Sequence, residues 1–109
     1  MAEIRYYVAA SGAEPFAEWF VALDLAARAK VTRAVARMEQ GNFSNVKSVG
    51  EGVLEYRIDF GPGYRIYFGR DGNTLVILLT GGTKRRQQRD IDAAHTYRLD
   101  YKQSKRARH

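Results

Sequence analysis

The chain has 109 residues, a formal net charge of +6 and no cysteine. That length fits one domain, and the missing thiols exclude a disulfide framework, a thiolate zinc site and a cysteine nucleophile. His95 and His109 stand apart from any carboxylate pair, so neither a metal nor a cofactor is expected. No apolar run approaches the roughly 20 residues of a membrane span, and the N-terminus lacks a signal-peptide layout, which predicts a cytoplasmic protein with no membrane partner. The charge is lopsided: nine basic and nine acidic residues precede Lys84, whereas nine basic and three acidic residues lie from Lys84 onward. A basic last quarter favours nucleic acid or an acidic partner; a solvated helix with a basic tail is the plainer alternative.

In chain order, residues 3–9 (EIRYYVA) read as a short strand rich in aromatic and β-branched side chains. Pro15 suits a first helical position, and Phe16, Trp19, Phe20 and Leu23 follow the i, i+3, i+4, i+7 spacing of an amphipathic helix. Asp24 is placed to cap a second helix with the stripe Ala27, Val31, Ala34, Val35 and Met38, which Gly41 and Asn42 end. Residues 43–52 read as a polar loop. Leu54, Tyr56, Ile58 and Phe60 then alternate with Glu55, Arg57 and Asp59. After Gly61-Pro62-Gly63, Tyr64, Ile66 and Phe68 alternate with Arg65 and Tyr67.

An odd loop keeps apolar opposite apolar, and a three-residue loop pairs Phe60 with Tyr64. That register sets Arg57 across from Tyr67 and Asp59 across from Arg65, on a solvent face turned away from the helices. Asp71-Gly72-Asn73 gives another tight turn, and Leu75–Leu79 is apolar enough for a central strand covered on both faces. Gly81-Gly82 breaks that strand, and Thr83 caps a helix starting at Lys84, with Ile91, Ala94, Tyr97 and Tyr101 as its packing stripe. The predicted fold is α+β with the order βααβββα. It has a small, mainly antiparallel sheet, a two-helix hairpin on one face and a C-terminal helix. Residues 1–101 form a single domain, and 102–109 are a flexible basic tail.

Arg57, Arg65 and Lys84 are the candidate catalytic residues. Arginine holds phosphate bidentately and stays charged, and lysine near other cations can move a proton. Tyr67 is placed to stack on a base. Arg85, Arg86, Gln87 and Arg89 extend the candidate substrate-binding surface, and His95 and Tyr97 are further candidates. Together these groups suit metal-free cleavage of RNA, in which a 2′-hydroxyl attacks the adjacent phosphate. Each also has a structural reading. Arg65 opposite Asp59 makes a cross-strand ion pair, Tyr67 an edge aromatic, and His95 and Tyr97 packing groups. Glu55 serves either to neutralise Arg57 or as an acid or base.

The run Leu54-Glu55-Tyr56-Arg57-Ile58, Gly61-Pro62-Gly63-Tyr64-Arg65-Ile66-Tyr67-Phe68, then Gly81-Gly82-x-Lys84-x-x-Gln87-x-x-Asp90-Ile91, resembles the addiction-module killer proteins. These are RelE/HigB-like toxins related to phage Gp49-like proteins. Pro15-Phe16-x-x-Trp19-Phe20 and Gly41-Asn42-Phe43 fit the same resemblance, which covers all but the tail. It implies a RelE-like fold and a type II toxin that cleaves mRNA on the ribosome. It also implies a helix-turn-helix antitoxin as partner, with DNA met only through the toxin–antitoxin complex. Arg57, Arg65 and Lys84 match the family's cations, and Gln87 and Asp90 match its motif. Two alternatives stay open: a ParE-like gyrase inhibitor without RNA cleavage, and a non-catalytic RNA- or protein-binding module of phage origin.

Overall fold

The computed structural model describes residues 1–107. Its elements are β1 (Glu3–Tyr6), α1 (Pro15–Val21), α2 (Leu25–Glu39), β2 (Val46–Ser48), β3 (Leu54–Ile58), β4 (Tyr64–Asp71), β5 (Leu75–Thr83), a 3₁₀ turn (Lys84–Arg86) and α3 (Gln87–Ala107). The sheet order is β1-β5-β4-β3-β2. β1 runs parallel to β5, and every other pairing is antiparallel. No helix among the described residues is long and apolar enough to cross a membrane.

The two helices of the first half form where their spacing predicts, although α1 ends at Val21, short of Leu23. Pro15 opens α1, and Glu18 reaches back to accept from the Glu14 N–H at 3.1 Å. Asp24 Oδ1 accepts from the Ala27 N–H at 2.8 Å, capping α2. Gly41, at φ +85°, ends α2 in the left-handed conformation that glycine tolerates. Phe16, Val31, Ala34 and Met38 bury against Tyr56, Ile66, Phe68, Val76 and Leu78 on one face of the sheet.

The other face is also covered, as the apolar run Leu75–Leu79 predicts, but the cover extends over the β3–β4 side chains that were expected to face solvent. α3 lays Ile91, Ala94, Tyr97 and Tyr101 over Val53, Tyr67, Ile77 and Leu79, making a second core. Residues 102–107, expected to be a flexible tail, continue α3, and Lys105 forms an ion pair with Asp71. The remainder of that expected tail, 108–109, lies outside the described residues.

Four further expectations are corrected. β1 ends at Tyr6 rather than at residue 9. The loop at 43–52 contains β2, whose Lys47 pairs with Glu55 on the edge of the sheet. The β3–β4 register is Ile58↔Tyr64 and Arg57↔Arg65, so the turn has five residues rather than three. This slip of two keeps every side chain on its predicted face. It arises because Gly61 and Gly63 both adopt positive φ and the Gly63 N–H closes a turn on the Phe60 carbonyl.

Finally, β5 does not break at Gly81-Gly82. A bulge skips Leu79, since Tyr67 pairs with Thr80 and Phe68 with Leu78. The two glycines then face opposite layers. A Cβ on Gly81 would lie 2.2 Å from the Trp19 ring, and one on Gly82 would overlap the Asp90 carboxylate. At these two positions the strand leaves room for Trp19 of α1 and Asp90 of α3. The chain passes from β5 into α3 through the 3₁₀ turn, and Thr83 makes no side-chain cap bond.

Candidate active site

β3, β4 and the start of α3 bring a charged cluster together beneath the α3 face. Its centre is Glu55, only 1 % exposed. Glu55 Oε2 accepts from the Tyr67 hydroxyl at 3.0 Å and from Gln87 Nε2 at 2.9 Å, and Arg65 Nε lies 3.7 Å away. The other oxygen, Oε1, has Lys47 Nζ at 3.7 Å and, among the described residues, no hydrogen-bond donor. A carboxylate buried this deeply needs partners to remain charged. β2, β4 and α3 each supply one or more.

Arg65 is also buried, at 4 % exposure, and donates through Nη1 to the Gly63 carbonyl at 3.2 Å. Lys84 meets the same glycine, its N–H donating to the Gly63 carbonyl at 2.9 Å while its side chain stays exposed. The GPG turn therefore joins Arg65 to Lys84. Arg57, directly opposite Arg65 in the ladder, is exposed and 4.0 Å from Asp59. Two like charges directly opposite one another destabilise a sheet. Here one is neutralised by Glu55 and the other is left facing solvent.

Tyr67 is fully buried and serves as a donor to Glu55, so the expected exposed stacking position is corrected. Burial, reinforced by the Glu55 charge, raises its phenol well above the usual value. Gln87 is a second donor to the same carboxylate. Arg85, Arg86 and Arg89 are exposed around the first turns leading into α3. His95 instead turns to the loop after β2, its Nε2 2.9 Å from the Val49 carbonyl. Tyr97 stacks on Tyr7 with ring centres 5.1 Å apart, as the packing alternative had it. Asp90 sits against Gly82, and among the described residues one of its oxygens has no partner. Burial raises its pKa against the opposing pull of Arg86 and Arg89.

Glu55 and Arg57 line a cleft of about 250 Å³ with Asn45, Lys47 and Asp59. Sequence reasoning missed Lys47 because it stood in what looked like a loop. It underrated Glu55 because an acidic residue alternating with apolar ones usually faces water. Among the described residues no group of three or more His, Cys, Asp or Glu side chains is gathered as a metal site requires.

Residues 18–103 match the family described as Phage derived protein Gp49-like (DUF891). The chain belongs to this family. The Gp49-like match begins in α1 and ends in α3, so it contains the whole Glu55 cluster but not β1. An uncharacterized protein of Haemophilus influenzae (strain ATCC 51907 / DSM 11121 / KW20 / Rd) is 45 % identical over 80 residues, which cover 72 % of this chain and 81 % of the relative.

Proposed function

We propose that this Gp49-like protein is the toxin of a toxin–antitoxin pair and acts as an endoribonuclease on mRNA at the ribosome. A helix-turn-helix antitoxin neutralises it, as the resemblance to RelE/HigB-like killer proteins implies. The observation that carries the chemistry is a buried carboxylate, Glu55, with one oxygen free of hydrogen bonds, in a cleft that Arg57 and Lys47 surround with positive charge.

In this reading Arg57 and Lys84 hold the scissile phosphate. Arg65, Tyr67 and Gln87 fix Glu55 from below through Oε2. Oε1 takes the proton of the 2′-hydroxyl once the exposed Lys47 side chain swings aside. The 2′-oxygen bonds to phosphorus and the bond from phosphorus to the 5′-oxygen breaks. The 5′-oxygen receives a proton from Lys84, leaving a 2′,3′-cyclic phosphate and a 5′-hydroxyl. Arg85, Arg86 and Arg89 contribute longer-range attraction for the RNA backbone.

Inducing the chain alone should arrest growth and produce new mRNA 5′-ends at particular codons, and co-expressing the neighbouring antitoxin gene should reverse both. Glu55→Gln should lower cleavage at least 100-fold, the usual size of a lost general base. Arrest with intact mRNA and stalled gyrase would refute the nuclease and favour a ParE-like action.

A further inference from the structure

We infer that the flank of α2 facing the end of β3 is a binding track for single-stranded RNA, continuing the cleft at Glu55 and Arg57; this rests on the ribonuclease reading above. Lys30, Arg33 and Arg37 follow one another at steps of three and four along α2, about one helical turn apart. They lie beside the buried stripe Ala27, Val31, Ala34 and Met38, on the side turned to β3. All three are exposed, and among the described residues none takes part in an ion pair. Four cations stand on this helix against one carboxylate, Glu39.

These cations line a groove of about 200 Å³ together with Asn45, Arg57 and Phe60. The groove and the Glu55 cleft share Asn45, Arg57 and Asp59, so Arg57 stands on the divide between them. β2 begins at Val46, and past Asn45, whose carbonyl accepts from the Arg57 N–H at 3.3 Å, no strand among the described residues flanks the upper end of β3. A polymer lying on Glu55 can pass around that open corner onto α2 while remaining against positive charge. Among the described residues Asp59 is the one opposing charge lining the groove, and at 93 % side-chain exposure it is well screened by water and salt.

The partly exposed ring of Phe60 decides between RNA and an acidic peptide. It lies under Lys30, with Nζ 5.1 Å from the ring centre. Cations that follow a backbone beside an aromatic ring on which a base stacks are the means by which proteins hold single strands. Tyr64 stacks against the ring with centres 6.4 Å apart and Lys30 covers it. A base therefore stacks there as the Lys30 ammonium turns to the RNA phosphate, whereas an acidic peptide would draw Lys30 away and leave the ring bare.

The test uses the full chain and fluorescein-labelled 2′-O-methyl oligouridylates of about 12 and about 4 nucleotides, which bind but cannot be cleaved. Fluorescence anisotropy gives affinity across a salt series. Each phosphate contact to a single strand contributes a slope of about 0.7 in log affinity against log salt. The variant Lys30→Gln/Arg33→Gln/Arg37→Gln should therefore lose about 2 from the slope of the longer oligomer and its affinity advantage over the shorter one. A parent-like slope in a variant with a parent-like circular dichroism spectrum overturns the proposal. So does a polyglutamate peptide that binds in an α2-dependent way when RNA does not, which would assign the flank to an acidic protein.

Should the triple variant misfold, photocrosslinking of a 4-thiouridine oligomer to the parent decides. Crosslinks at residues 30–37 or Phe60 support the track, and a map without them overturns it. The two proposals fail separately. An α2-dependent slope without cleavage of mRNA on translating ribosomes removes the nuclease and keeps the track, and such cleavage with an unchanged slope does the reverse.

Discussion

Replacing Arg65 by alanine should destabilise the fold strongly rather than simply silence the protein. Arg65 and Glu55 are 4 % and 1 % exposed, and their nearest charged atoms are 3.7 Å apart. Removing one partner leaves the other charge buried, which costs about 3–5 kcal/mol. The total stability of such a domain is about 5–15 kcal/mol. At about 4 °C per kcal/mol for a domain of this size, Arg65→Ala should lower Tm by roughly 12–20 °C. Adding Glu55→Gln removes the orphaned charge while keeping an acceptor for Tyr67, so the double variant should melt above Arg65→Ala. Thermal unfolding followed by circular dichroism on the four proteins closes a double-mutant cycle. The reasoning is refuted if Arg65→Ala melts within about 4 °C of the parent, or if the two effects simply add. Loss of toxicity in Arg65→Ala alone would accordingly say little about catalysis.

Other substitutions separate chemistry from stability more cleanly. Arg57→Ala removes an exposed side chain and should change stability by no more than about 0.5 kcal/mol, while primer extension on cellular mRNA shows cleavage sites weakened or lost. Gly81→Ala puts a methyl 2.2 Å from the Trp19 ring and should cost about 1–3 kcal/mol by overpacking; denaturant melts should show most of that cost gone in a Trp19→Ala background. Asp90 has a folded-state pKa raised by burial, so the folded state holds its proton more tightly than the unfolded chain, and ionisation destabilises the fold as pH rises past the ordinary carboxylate range. Asp90→Asn should thus raise Tm near pH 7, and the gain should shrink as pH falls through that range; a gain independent of pH would contradict this assignment.

The order of elements was legible because it rests on periodicities that survive packing. The steps from Phe16 to Leu23 and from Ala27 to Met38 mark helices, and the alternation from Leu54 to Phe68 marks a hairpin. Parity also sorted the hairpin side chains onto the correct faces. It could not detect a slip of two residues, since such a slip leaves every face unchanged. β2 has three residues, of which only Val46 gives an apolar signal, so pairing with β3 rather than local preference makes it a strand.

The larger miss concerned depth. Glu55, Arg65 and Tyr67 alternate with apolar residues as a solvent face does, yet α3 covers them, and their polarity is satisfied by one another. Sequence pattern alone does not distinguish a wet charged face from a dry, internally paired one. Gly81 and Gly82 posed a similar ambiguity, because the absence of a side chain marks a strand break and a close packing contact alike.

The parallel pairing of β1 with β5 sets an order on assembly. Glu3 lies beside Leu75 and Ile4 beside Val76, so the first strand finds its partner strand near the far end of the chain. A nascent chain can build the helical hairpin and the β3–β4 hairpin from local contacts while the N-terminal strand waits unpaired. Closing so long a loop is entropically unfavourable and kinetically late. Strengthening β1 should therefore slow unfolding far more than it speeds folding.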